Sequence, residues 1–166
     1  MRSIYPSAAK SILGISDRKL NLLIRKKKIN KTSGLKTSVY DYEQIMKFRK
    51  SREYFSLVGP TFLFYLRPRS ETQGNILDRD VKRKAGTLNI KLEKVMMYDL
   101  PDINYSAGFN RAVQIFRQHE TQGLIIGGNE RLEDTTQLKK MFLAIRHFQV
   151  VSSKDFLGRE FGGLDS

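Results

Sequence analysis

Two rhythms of apolar and polar residues divide the chain. Before about residue 54, apolar residues recur at helical spacing in short bursts broken by Gly and Ser; after residue 60, continuous apolar runs alternate with amphipathic stretches. In the first part, Ala8, Ala9 and Ile12 give residues 7–13 an apolar face, and Gly14 ends that helix. Ser16 is a good N-cap, and Asp17 suits the positive end of a helix dipole. Leu20, Leu23, Ile24 and Lys27 then fall at i, i+3, i+4 and i+7. A helix is therefore predicted from Ser16 to Ile29, with that face inward and Arg18, Lys19, Asn21, Arg25, Lys26 and Lys28 outward. Ser33-Gly34 is a turn signal, and the alternation of Leu35, Thr37 and Val39 predicts a hairpin. Asp41 caps a further helix carrying Tyr42, Ile45, Met46 and Phe48; residues 52–59 read as a linker or the approach to a strand.

The second part reads as strand, helix, strand, helix, strand, helix, strand. The strands are Thr61–Leu66, Ile90–Tyr98, Gly123–Gly127 and Phe148–Val151. The helices run from Ser70 to about Leu88 (Ile76, Leu77, Val81 and Ala85 inward), from Phe109 to Arg117, and from Thr136 to Ile145. That order predicts a mixed α/β chain whose second domain holds a mainly parallel four-stranded sheet with right-handed crossovers. The domain reading is a winged helix-turn-helix over residues 1–54, an α/β domain over 60–152, and a Gly-containing tail over 153–166.

Charge sharpens the first part. Residues 1–60 carry 14 Lys and Arg against 4 Asp and Glu, a net of +10, whereas residues 61–166 carry 16 against 13, a net of +3. Cations concentrated in one module mark a polyanion-binding surface. A helix, a Gly-containing turn and a basic second helix form the arrangement whose second helix enters a DNA major groove. Arg18, Lys19 and Asn21 are expected at base edges. Ser16, Arg25 and Lys26, with hairpin residues Lys31, Thr32, Ser33 and Lys36, are expected at phosphates. The competing reading is a solvated basic face and a flexible polar loop. With no Cys and only two His, disulfides and thiolate metal sites are excluded, and no metal or other cofactor is expected. No run reaches the 18 or so apolar residues of a membrane span, and no apolar leader opens the chain. The expectation is an intracellular, DNA-associated protein, in the cytoplasm or nucleoid or at a site of viral DNA replication, with no membrane partner.

The order SAAKSILGIS, DRKLNLLIRKKKIN, KTSGLKTSVYDYEQI resembles the MerR-type winged helix-turn-helix. The second part resembles the catalytic domain of serine recombinases. The match rests on Phe64-Tyr65-Leu66-Arg67, Glu71-Thr72-Gln73, Gly108-Phe109-Asn110-Arg111-Ala112-Val113 and Glu130-Arg131-Leu132. A MerR-type module before such a domain is similar to transposon-encoded serine recombinases of the N-terminal helix-turn-helix subtype.

The resemblance implies phosphodiester transesterification through a phosphoseryl intermediate, with arginines neutralising the transition state. It also implies where this chain departs. The family's Tyr-x-Arg-Val-Ser is here Tyr65-Leu66-Arg67-Pro68-Arg69, with Arg in the nucleophile's place and Ser70 one residue late. The family's Arg-Pro-Gly-Leu is Ser106-Ala107-Gly108-Phe109, and its Asp-Arg-Leu-x-Arg is Glu130-Arg131-Leu132-Glu133-Asp134, a charge reversal at the last position. Losing one charge-stabilising donor typically costs about 10²–10³ in rate. The expectation is thus a resolvase-like fold without catalytic residues: a sequence-specific double-stranded DNA-binding regulator or DNA-organising factor, acting as a homodimer or higher homo-oligomer. The rival is an active recombinase or transposase using Ser70; a third reading is an interaction protein whose basicity serves solubility. Glu133 and Asp134 are expected as a solvated helix start. For Arg67, Arg69 and Arg131, a solvated or sheet-end charge is set slightly ahead of a residual backbone contact.

Overall fold

The computed structural model describes residues 2–33, 37–97, 105–117, 121–144 and 149–158, without the side chains of 105 and 106. It forms two compact units that part at Gly59 and Pro60. The first comprises β1 (Ser3–Ile4), α1 (Pro6–Leu13), α2 (Asp17–Arg25), β2 (Lys31–Ser33), β3 (Ser38–Asp41), α3 (Tyr42–Arg49) and α4 (Arg52–Val58). Pro6 opens α1, where a missing N–H is no loss, and Gly14 closes it in the left-handed region at φ 67°. Ser16 caps α2 as expected, its Oγ accepting the Lys19 N–H at 3.3 Å.

The second helix is shorter than its apolar spacing predicts. It stops at Arg25, and Lys27 turns to φ 59°. The N–H groups of Lys27 and Lys28 then return to the carbonyls of Ile24 and Leu23, both at 2.9 Å. This is the left-handed helix ending that usually employs Gly. Lys27, expected on the inner face, is consequently exposed beyond the helix end. The hairpin forms with Lys31 opposite Tyr40 and Ser33 opposite Ser38, and β1 adds a third antiparallel strand that the sequence reading did not foresee. Residues 52–59, read as a linker, are largely helix α4. Ser51 caps it, Gly59 ends it at φ 64°, and its Tyr54 and Phe55 are buried.

In the second unit, β4 (Thr61–Arg67), β5 (Lys91–Met96), β6 (Gly123–Gly128) and β7 (Gln149–Ser152) form a wholly parallel sheet in the order β5-β4-β6-β7. Between them run α5 (Glu71–Thr87), α6 (Tyr105–Arg117) and α7 (Glu133–Leu143), and α8 (Ser153–Gly158) follows. Strand alternation sends Leu63 and Tyr65 to the face covered by α6 and α7, where they join Ala112, Ile115, Leu138 and Phe142. Phe62, Phe64 and Leu66 take the opposite face, on the side of α5 and α8. Burying both faces explains why the central strands β4 and β6 read as apolar runs.

Three expectations need correction here. Ile76 is exposed, because the inward row of α5 is Gly74, Val81 and Ala85. Residues 153–158, read as tail, are helical and bury Phe156. The helix expected from Thr136 starts earlier, at Glu133.

The left-handed Lys27 yields a prediction. A non-Gly residue in that conformation costs about 1–2 kcal/mol, partly offset by the larger unfolded-state entropy of Gly. Lys27→Gly should stabilise the protein by about 1 kcal/mol in urea unfolding; a loss of stability would show that the lysine side chain supports the turn.

Candidate nucleic-acid interface

The first unit sorts the cations of its basic segment into two sets. Leu20 and Leu23 are buried, and Ile24 is half-buried, so the opposite side of α2 faces solvent. That side carries Arg18, Asn21 and Arg25 at i, i+3 and i+7, all exposed. Lys26 and Lys27 continue it past the helix end, and Lys31, Thr32 and Ser33 lie exposed on β2, an outer strand of its sheet. No described carboxylate pairs with Arg18, Arg25, Lys26, Lys27 or Lys31. Lys36 falls outside the described residues.

The other set is engaged internally. Lys19, expected at base edges, is half-buried, and its Nζ donates to the Leu57 carbonyl at the end of α4, at 3.0 Å. Lys28, expected outward, is half-buried and pairs with Glu53 at 2.9 Å. Asp17 is held by Lys10 at 2.8 Å. Ser16 is exposed, with its hydroxyl oxygen serving as the helix cap. Sequence reasoning missed Lys27, since helical spacing assigned it inward. The signal was the run of four cations ahead of Ile29, which supplies charge for a helix end but no Gly to form it.

Behind this surface lies a buried polar knot. Arg49 and Tyr54 are both 1 % exposed. The Tyr54 hydroxyl donates to the Leu13 carbonyl at 2.8 Å and accepts a hydrogen bond from Arg49. Burial pushes the Tyr54 hydroxyl up to about 12, and burial pulls the Arg49 guanidinium below the usual arginine range. The knot ties the end of α1 to α3 and α4.

In the second unit, the strand order reverses at β4, so the crevice beyond the carboxyl ends of β4 and β6 is where open α/β sheets bind ligands. Here the chain's own groups fill it. Tyr65 and Arg67, two residues apart, emerge on one face of β4. Arg67 Nε lies 2.9 Å from Asp134 Oδ2, and the Tyr65 hydroxyl donates to the same oxygen at 2.5 Å. Arg67 also donates to the Met97 carbonyl at 3.1 Å. Burial first, and the Asp134 carboxylate second, hold the Tyr65 phenol far above its ordinary range. Asp134 is therefore not a solvated helix start: it turns inward from the first turn of α7, and only Glu133 stays exposed. Arg67 is a buried sheet-end charge, whereas Arg69 and Arg131 are exposed. Gly128, at φ 91°, lets Asn129 N–H reach the Arg67 carbonyl at 2.8 Å; a Cβ there would lie 2.1 Å from that oxygen.

Ser70, the alternative nucleophile, is the N-cap of α5 and accepts the Gln73 N–H at 3.1 Å. Among the described residues, no group of three His, Asp or Glu side chains is placed to hold a metal, and no helix is long and apolar enough to cross a membrane.

Removing one member of a buried pair leaves an uncompensated charge, at a cost of about 3–5 kcal/mol. Asp134→Ala should therefore destabilise strongly in chemical denaturation, and Arg67→Met combined with Asp134→Leu should recover most of the loss. A near-neutral Asp134→Ala would mean that Arg67 is solvated.

Set beside protein-family models, curated proteins and solved structures, the chain matches none of them.

Proposed function

We infer that the first unit is a MerR-like winged helix-turn-helix that binds double-stranded DNA, with α2 in the major groove and the β2–β3 hairpin against the backbone. The observation that carries this reading is the solvent side of α2. It presents Arg18, Asn21 and Arg25 without a paired carboxylate, three residues after α1 ends and just before a hairpin bearing Lys31. Arg and Asn are the side chains that pair bidentately with guanine and adenine edges; Arg25, expected from the sequence at a phosphate, shares the exposed row of Arg18 and Asn21 and is assigned with them to base edges in this proposal. Lys26, Lys27 and Lys31 stand where phosphates flank the groove, and such cations supply the salt-dependent share of affinity.

The second unit, in this proposal, is a resolvase-like domain that no longer cuts DNA and serves as an assembly surface, so that the chain acts as a homo-oligomeric regulator or DNA-organising factor. Three observations support it. Arg67, the arginine matching the family's first motif, spends its charge on Asp134; Asp134 stands where that family has another arginine; and Ser70 is engaged as a helix cap. The rival recombinase would form a covalent phosphoseryl adduct on supercoiled DNA that Ser70→Ala abolishes, and such an adduct would overturn the inactive reading.

Fluorescence anisotropy with a labelled duplex tests the main proposal. The full chain should bind with a log–log salt slope of about −3, for three phosphate contacts. Arg18→Ala should weaken binding about tenfold or more. Lys19→Met should change it less than about twofold, because the Lys19 ammonium is directed to Leu57. Absence of duplex binding at low salt, or equal losses from Arg18→Ala and Lys19→Met, would reject this assignment.

A further inference from the structure

Resting on the reading of α2 as the groove-entering helix, we propose that this chain reads a short purine pattern: two guanines flanking an adenine within about four base pairs, set by Arg18, Asn21 and Arg25. The exposed side of α2 contains no other group able to recognise a base edge by paired hydrogen bonds. Lys19 is directed to Leu57, and Leu20 and Leu23 are buried. Asp17 is exposed but its charge is paired with Lys10, and a carboxylate only accepts; the groups on this side that can make paired hydrogen bonds to a purine are two guanidinium forks and one carboxamide.

Helix geometry sets the order. At 1.5 Å per residue, Asn21 lies about 4.5 Å along the axis from Arg18, and Arg25 about 6 Å farther. In a groove-docked helix, residues about three apart meet neighbouring base pairs, so Arg18 and Asn21 correspond to about one step and Arg25, four residues farther, to as many as two. An arginine matches the O6 and N7 acceptors of guanine, and an asparagine matches the N6 donor and N7 acceptor of adenine. The expected pattern is guanine, adenine, any base, guanine, with the three purines on either strand. Leu22, half-buried one residue after Asn21 and at i+4 from Arg18, borders the exposed row. It is the apolar side chain placed to meet the methyl of the thymine that pairs with the adenine, so one base pair is read from both strands.

The phosphate-facing cations are separate from this row. Lys26 and Lys27 lie past the helix end and Lys31 on β2. Specificity and salt dependence should therefore be separable by substitution, which distinguishes a reading row from a merely basic face.

The test is selection of bound duplexes from a randomised pool by the purified full chain, repeated with Asn21→Ala, Arg18→Ala and Lys26→Ala; all three positions are exposed, and circular dichroism confirms folding. The wild type should enrich the two guanines and the adenine. Asn21→Ala should lose enrichment at the adenine alone, with at least about a fivefold weaker preference there and an unchanged salt slope. Arg18→Ala should lose one guanine. Lys26→Ala should keep the pattern while its salt slope falls by about 1. Enrichment unchanged by Asn21→Ala, or a pattern without guanines, overturns the proposed code but leaves duplex binding standing. Retention of no duplex at all overturns the DNA reading itself, and the code with it.

Discussion

Two contacts with α4 govern what the basic segment can present. Lys19, in the first turn of α2, donates to the carbonyl of Leu57 near the end of α4, and Lys28, three residues past the end of α2, pairs with Glu53 near the start of α4. Neither contact is large in free energy. A half-exposed pair such as Lys28–Glu53 contributes no more than about 1 kcal/mol. Their effect is directional: they turn two of the basic segment's cations inward and fix the rotation of α2 about its axis. With Leu20 and Leu23 anchored in the core, the exposed row can only be Arg18, Asn21 and Arg25. The buried Arg49–Tyr54 knot beneath supports the same arrangement, because Tyr54 belongs to α4 and its hydroxyl holds the last carbonyl of α1.

The second unit shows the opposite use of charge. The place where an open parallel sheet would receive an anionic ligand holds a carboxylate from its own helix α7. Arg67 is buried and Asp134 largely so, and the desolvation of the two ions offsets much of their attraction. Such a pair adds little net stability but makes removal of either partner severe. The first turn of α7 also favours the carboxylate, since unpaired N–H groups give that end a partial positive charge. With Nε on Asp134 and another nitrogen on the Met97 carbonyl, the Arg67 guanidinium is turned to groups of its own chain.

Much of the second unit was legible because the central strands β4 and β6 are buried on both faces and so stand out as apolar runs, while the edge strands β5 and β7 are only partly buried. All four strands lie where the sequence predicts them, within a residue or two. The first unit was less legible where tertiary contacts override local pattern. Helical spacing carried α2 through to Ile29, yet the chain turns at Lys27 despite the local strain of a left-handed lysine, and Ile29 beyond the turn is buried. The apolar content of α4 is only Tyr54, Phe55, Leu57 and Val58, too short a stretch to declare its period. The inward turn of Lys19 was invisible, since its partner is a backbone carbonyl, which has no sequence signature. Arg49 was missed likewise: an arginine in a helix reads as exposed until its phenolic partner is known.

The uneven charge of the chain gains a physical meaning from these placements. Of the cations carried by residues 1–60, Arg2, Lys10, Lys19, Lys28, Arg49 and Arg52 have intramolecular partners among the described residues. The remainder includes a cluster comprising Arg18, Arg25, Lys26, Lys27 and Lys31, which lies on one helix, its terminus and the following strand. Holding five like charges close together opposes folding, because repulsion between exposed cations is relieved when the chain expands. The left-handed Lys27 adds local backbone strain in the same region. Both costs are removable by ordinary substitutions without disturbing the core, since these side chains are exposed. In the proposed complex with duplex DNA, the negative charge of the backbone would relieve the electrostatic part of that cost.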